Sequence, residues 1–190
     1  GTDRLFELNV VELPFAFWQY TAPSDAFWGC SKIPGAMASH AEHLAFLSHH
    51  MPFSSVSAAA LDQFAPYYYQ AATQLGGPAP NEGPLMGLIQ YPGGNTSASF
   101  APVGVMLPAF DTQAMPDIDT WLATSAERVM LVYGSYDPWT SNGFPLGAAP
   151  RDSWRYTVAG ANHDAELGQL PFTEKKAAVA TLERWVGTTS

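Results

Sequence analysis

The sequence has few basic residues, a single cysteine and no long apolar run. Eight Lys and Arg stand against seventeen Asp and Glu in 190 residues, which gives a formal net charge of -9. Nucleic-acid binding depends on clustered cations, so we expect no nucleic-acid partner. Cys30 has no second cysteine to pair with in this sequence, which excludes an internal disulfide and a thiolate metal cluster. No apolar run approaches ~20 residues, so we expect no membrane-spanning helix.

Patterns for metals and cofactors are also missing. Neither the dinucleotide-binding nor the phosphate-loop glycine pattern occurs, and Gly93 and Gly94 are typical of a turn. His40 and His43 can share one helical face, but the H-E-x-x-H arrangement is absent. We therefore expect no cofactor and no metal. The start at Gly1 lacks both an initiator Met and the regions of a signal peptide, so we expect the true amino terminus elsewhere.

What is present is an apolar, aromatic-rich chain that can bury a core, with 47% hydrophobic and 13% aromatic residues. Residues 1–125 contain helix-length patterns broken by Pro and Gly, including predicted helices over 36–50 and 57–75, and we interpret this part as a helical cap. Residues 126–190 contain two short apolar strands and an amphipathic closing helix over 173–186. This order predicts parallel strands in an α/β fold.

Two polar residues follow those strands. The strand at 128–134 leads to Asp137, and the strand at 154–160 leads to His163. Taken alone, an Asp before Pro is most often a turn residue, and a loop His is most often structural. The carboxyl ends of parallel strands meet at one edge of a sheet, however, so the two side chains are predicted to meet there.

The order of these residues is typical of the acid and base of an α/β-hydrolase. An imidazole at His163 could take a proton from a serine nucleophile and return it, while Asp137 would fix its tautomer. The adjacent Asp164 is a poorer candidate for the acid, since a sequence neighbour cannot easily reach the same ring. No Ser lies in a G-x-S-x-G elbow; Ser31 has a Gly two residues before it but no Gly two residues after it. We therefore expect the carboxyl-terminal part of an α/β-hydrolase, inactive by itself.

Four segments carry a family resemblance: VELPFAFWQY at 11–20, YYYQAATQLG at 67–76, YGSYDPW at 133–139 and GANH at 160–163. The chain resembles the secreted bacterial tripeptidyl aminopeptidases, which are serine exopeptidases of the α/β-hydrolase class. The resemblance implies release of tripeptides, or similar short peptides, from free amino termini outside the cell. It also implies that a missing amino-terminal half holds the nucleophilic Ser and the oxyanion hole. Asp164 departs from the small residue that the family usually has after the His.

An aminopeptidase has to recognise an ammonium group, and a carboxylate is suited to that task. Glu12, which is flanked by apolar residues, is the candidate; the alternative is that it pairs with a buried Arg or caps a helix. Trp18 and Tyr68 are candidates for the substrate pocket, and each could instead fill the core.

Two other functions remain open. An esterase on the same fold would cleave simple esters but no amino-terminal peptide. A noncatalytic binding protein could keep the fold and lack the nucleophile.

Overall fold

The computed structural model of the chain describes residues 1–21, 26–147 and 151–187, with the backbone alone at 26–28. Its α-helices and strands are α1 Thr2–Trp18, α2 Ala26–Lys32, α3 His40–His50, α4 Ala58–Gln63, α5 Ala65–Gln70, α6 Ala114–Thr124, β1 Met130–Gly134, β2 Trp154–Val158 and α7 Phe172–Val186. A short π-helix at Ala71–Leu75 follows α5, and short 3₁₀ helices include Pro138–Asn142.

The chain folds into two compact units, of which the first comprises residues 1–16 and 34–117. Its core forms around one face of α1, where Leu5, Leu8 and Val11 recur at helical spacing and pack with Phe100. Glu7, on the same helix, accepts hydrogen bonds from the backbone N–H groups of Gln90 and Tyr91 and thus fixes the loop that contains them.

The first unit corrects one predicted helix. The prediction of a single helix over 57–75 is wrong, because the chain turns at Phe64 between α4 and α5. Pro66 explains the break, since proline has no N–H to continue the helical ladder and is tolerated only in a first turn.

The second compact unit comprises residues 17–33 and 118–190. Its strands β1 and β2 pair in parallel, with Met130 opposite Trp154 and Gly134 opposite Val158, which confirms the predicted parallel pair. Tyr156 and Val158 of β2 pack with Leu170 and with Ala178 of α7. The bounds of α7 lie within one residue of the predicted helix over 173–186. The structure is thus a mixed fold of helices with a two-stranded parallel sheet.

The division into these two units differs from the predicted one, which placed a single boundary after residue 125. Residues 17–33 and 118–125 belong to the compact unit that contains both strands. His163 donates its backbone N–H to the carbonyl oxygen of Gln19 at 2.9 Å, which is one reason why the segment after α1 clusters with the sheet. The cap role of 1–125 and the catalytic role of 126–190 stay predictions.

Across the described parts of the chain, no helix is both long and apolar enough to cross a bilayer. The same residues contain no group of three or more His, Cys, Asp or Glu side chains arranged to hold a metal ion.

Candidate active site

The site lies where β1 and β2 end side by side, and backbone hydrogen bonds join the two following loops. Ser135 donates its N–H to Val158 O at 3.1 Å, and Tyr136 donates to Ala161 O at 2.9 Å. In return, Gly160 donates its N–H to Ser135 Oγ at 2.9 Å. These bonds hold the loop after β1 against the loop after β2.

Asp137 and His163 meet across these loops. Nδ1 of His163 lies 2.8 Å from Oδ2 of Asp137. Because an ionised carboxylate only accepts hydrogen bonds, Nδ1 carries the proton in this pair and Nε2 is left as the unprotonated nitrogen of a neutral ring. The structure therefore brings together the two side chains that the sequence predicted to meet.

The two side chains differ in exposure in a way that suits a base and its partner. The Asp137 side chain is 6% exposed, whereas that of His163 is 44% exposed. Asp137 caps the short helix Pro138–Asn142, and its Oδ1 accepts the backbone N–H of Trp139 at 3.0 Å. No residue that the structure describes hydrogen-bonds to Nε2 of His163. Each oxygen of the Asp137 carboxylate thus has a hydrogen-bond partner. The Nε2 nitrogen of His163 can accept a proton from a reactant.

Asp164, the rival acid, is not part of this pair. Its backbone N–H donates to Asn162 Oδ1 at 3.2 Å, and its carboxylate makes no hydrogen bond with His163.

Gln19 and Tyr20 contribute contacts that the sequence reasoning missed. Beyond its backbone bond to His163, Gln19 accepts a hydrogen bond at Oε1 from the indole Nε1 of Trp139 at 2.8 Å. The Tyr20 ring meets the His163 imidazole edge to face, with 5.9 Å between ring centroids. The imidazole is therefore contacted by a segment that precedes β1 by more than 100 residues.

Glu12 lies in the first compact unit, in the wall of a small cleft of about 50 Å³. The side chain is half-buried, and no described residue hydrogen-bonds or ion-pairs with its carboxylate. Burial raises the pKa of Glu12 above its ordinary value. Burial, with the nearby Glu12 charge, also raises the pKa of Tyr67. The remaining cleft residues are Leu8, Tyr68, Pro78, Asn95, Thr96 and Ser97.

Trp18 and Tyr68 both have packing roles. Trp18 is half-buried and meets Phe17 edge to face at 4.9 Å between ring centroids. Tyr68 packs on Phe100 at 5.3 Å while also lining the Glu12 cleft. Tyr68 belongs to the first compact unit and Trp18 to the second.

Comparison with known proteins identifies the family. The PS-10 peptidase S37 family matches residues 1–190, the whole chain. The chain belongs to this peptidase family. It is also 36% identical over 189 residues to the prolyl tri/tetrapeptidyl aminopeptidase of Streptomyces mobaraensis, a match that covers 98% of the chain and 39% of that relative. No solved structure matches the chain.

Membership of the S37 peptidases agrees with the resemblance found in the sequence. The chain spans 39% of the length of the relative that it matches. The activity of the whole enzyme is therefore treated below as a proposal. Signals for Asp137 and His163 were present in the strand ends that precede them. Gln19 lies in the segment at 11–20 that carries the family resemblance, but nothing in that segment indicates which residues Gln19 contacts.

Proposed function

We propose that this chain supplies the acid and base of a serine exopeptidase that releases tripeptides or tetrapeptides from free amino termini. The observation that carries the proposal is the 2.8 Å pair of His163 Nδ1 and Asp137 Oδ2, with the outer imidazole nitrogen open at the ends of two parallel strands. Membership of a peptidase family supports the reaction class.

The mechanism follows from this geometry. His163 Nε2 takes the proton of a serine hydroxyl as that oxygen attacks the scissile carbonyl, and then gives the proton to the leaving amine. Asp137 keeps the Nδ1 proton in place and stabilises the imidazolium that forms. Water then cleaves the acyl-enzyme ester by the same proton transfers in the second half of the reaction.

The nucleophile lies outside this chain in our proposal. The 190 residues contain no G-x-S-x-G elbow, and they correspond to 39% of the relative's length. We propose that the rest of an α/β-hydrolase domain provides the Ser and the oxyanion hole, that the enzyme is secreted, and that the 190 residues alone are inactive.

Glu12 is the proposed receptor for the substrate ammonium group. An unpaired, half-buried carboxylate gains a partner when a cation binds, and a charge-assisted hydrogen bond is stronger than a neutral one. No Arg among the described residues satisfies it, which argues against the structural alternative. Tyr68, in the same cleft, would contact the first substrate residue. Trp18 is a further proposed contact for the substrate.

Product analysis tests this proposal. The protein expressed from the complete gene is incubated with a peptide that has Pro at its third residue, and with its amino-acetylated copy. We expect release of the tripeptide from the free peptide and at least 100-fold slower release from the acetylated one. Cleavage of a simple ester with no peptide release would favour an esterase, and no turnover of either would favour a binding protein.

A further inference from the structure

Four residues of the second compact unit form a closed circuit of hydrogen bonds. The Trp139 indole Nε1 donates to Gln19 Oε1 at 2.8 Å, and the Trp139 backbone N–H donates to Asp137 Oδ1 at 3.0 Å. Oδ2 of Asp137 bonds His163 Nδ1 at 2.8 Å, and His163 returns to Gln19 through its backbone N–H at 2.9 Å. Each residue of the circuit therefore has two partners within it.

Gln19 is the residue that closes the circuit. Trp139, Asp137 and His163 all lie on the loops after β1 and β2, whereas Gln19 follows α1. Its backbone oxygen holds the loop of the base, and its side-chain oxygen holds the loop of the acid. The side-chain bond of Gln19 to Trp139 therefore adds to the contacts that position the imidazole, which include the direct bond to Asp137, the backbone bond to Gln19 and the Tyr20 ring.

Trp139 is 37% exposed, so solvent reaches part of its side chain. The directed hydrogen bond that its indole donates to Gln19 constrains the ring and, through the adjoining backbone N–H, the Asp137 carboxylate.

We propose that Gln19 is a positioning residue of the active site, which aligns the Asp137–His163 pair through its bond to the Trp139 indole. The kinetic part of this inference rests on the proposed peptidase function. Gln19 does not touch the reacting atoms in this account; its effect reaches them through Trp139 and His163.

The chain offers matched variants. Gln19→Met keeps the length of the side chain and removes the acceptor, Gln19→Glu keeps an acceptor, and Trp139→Phe removes the indole donor. Gln113→Met serves as the control, since Gln113 is exposed and its side chain makes no hydrogen bond to any described residue. All are made in the protein expressed from the complete gene, with circular dichroism and the Tm as checks of folding.

We expect Gln19→Met and Trp139→Phe each to lower kcat about fivefold to tenfold, the range of one hydrogen bond, with KM changed less than about twofold. The double variant should be no slower than the slower single variant, because both remove the same bond. Gln19→Glu should retain at least half of kcat, and Gln113→Met should retain all of it. Multiplicative losses in the double variant, or an unchanged kcat in both single variants, would overturn the proposal.

A spectroscopic readout separates this inference from the proposed function. We expect the Nδ1 proton of His163 to give a downfield proton NMR resonance, to be assigned by its loss in His163→Gln. In Gln19→Met and in Trp139→Phe this proton should exchange with water at least several times faster than in the parent protein. Unchanged exchange in both variants contradicts the positioning role. If no peptidase activity is found, the proposed function fails, while the exchange rate still decides the role of Gln19.

Discussion

Gly134, the last residue of β1, lies directly against the carbonyl oxygen of Asn162, the residue before His163. A Cβ built on Gly134 would clash with that oxygen and would lie 2.7 Å from the carbonyl oxygen of Ala161. Glycine at this position therefore lets the loop that carries His163 approach the strand that leads to Asp137.

Substitution Gly134→Ala should push these loops apart. We expect a loss of about 1–3 kcal/mol in the free energy of unfolding, as for other overpacked sites, and a fall of at least tenfold in kcat because the pair is misaligned. Thermal or urea unfolding and steady-state kinetics measure the two effects. Gly35→Ala is the control, since a Cβ there meets no atom of the described residues within 4 Å. Equal stability and activity of Gly134→Ala and the parent would show that the close approach is not needed.

Glu12→Gln should change binding and stability in opposite directions. In our proposal Glu12 binds the substrate ammonium group, so loss of the charge should weaken that binding, and we expect KM for a free amino-terminal peptide to rise about tenfold or more. The same change removes a half-buried, unpaired charge, so the Tm at neutral pH should rise. Glu127→Gln is the matched control, because the Glu127 side chain is exposed and, among the described residues, forms only a loose surface pair with Arg128 at 3.9 Å. An unchanged KM would remove Glu12 from the substrate site.

The pH dependence of this stability difference has a definite sign. Burial raises the pKa of Glu12, so the folded protein binds a proton there more readily than the unfolded chain. The cost of the charge is full above the folded pKa and is relieved as the pH falls through it. The Tm advantage of Glu12→Gln should accordingly shrink as the pH is lowered towards the ordinary carboxyl range. A gap that widens on acidification would contradict this account.

Glu7 should show the opposite behaviour. Burial acts to raise the pKa of Glu7, but hydrogen bonds from Gln90, Asn95 and Tyr91, with the charge of Arg4, outweigh it and lower the pKa. Its contribution to stability is present above the ordinary carboxyl pKa and is lost as the pH falls through the lowered value. We expect Glu7→Gln to lower the free energy of unfolding at neutral pH by about 1–3 kcal/mol, measured by urea titration.

The matched control for Glu7 is again Glu127→Gln, which should change the free energy of unfolding by less than about 0.5 kcal/mol. The difference between Glu7→Gln and the parent should vanish in acid. A Glu7→Gln variant as stable as the parent at neutral pH would show that this carboxylate does not fix the loop at 90–95.

The sequence was sufficient to predict the parallel strands and the meeting of Asp137 with His163, because strand patterns and strand ends are local signals. Family membership was likewise predicted from four short segments. The break between α4 and α5 was not predicted, since the apolar pattern continues through Phe64 and gives no sign that Pro66 lies in the first turn of a new helix.

Contacts over long separations could not be predicted. The hydrogen bond from Trp139 to Gln19 joins residues 120 positions apart in the chain. No pattern in the sequence indicates that these two residues are in contact. The compact units divide the chain differently from the single boundary after residue 125 for the same reason. Segment 17–33 reads as helix and turn, and only contacts such as that of Gln19 with His163 associate it with the sheet.

The most direct test of the central claim is the rate of peptide release by His163→Gln and Asp137→Asn, each made in the protein expressed from the complete gene. With folding verified by the Tm, we predict that each lowers kcat/KM by about 10²–10⁴, the contribution of general base catalysis. A loss of less than tenfold in folded His163→Gln would contradict the assignment of this residue as the base.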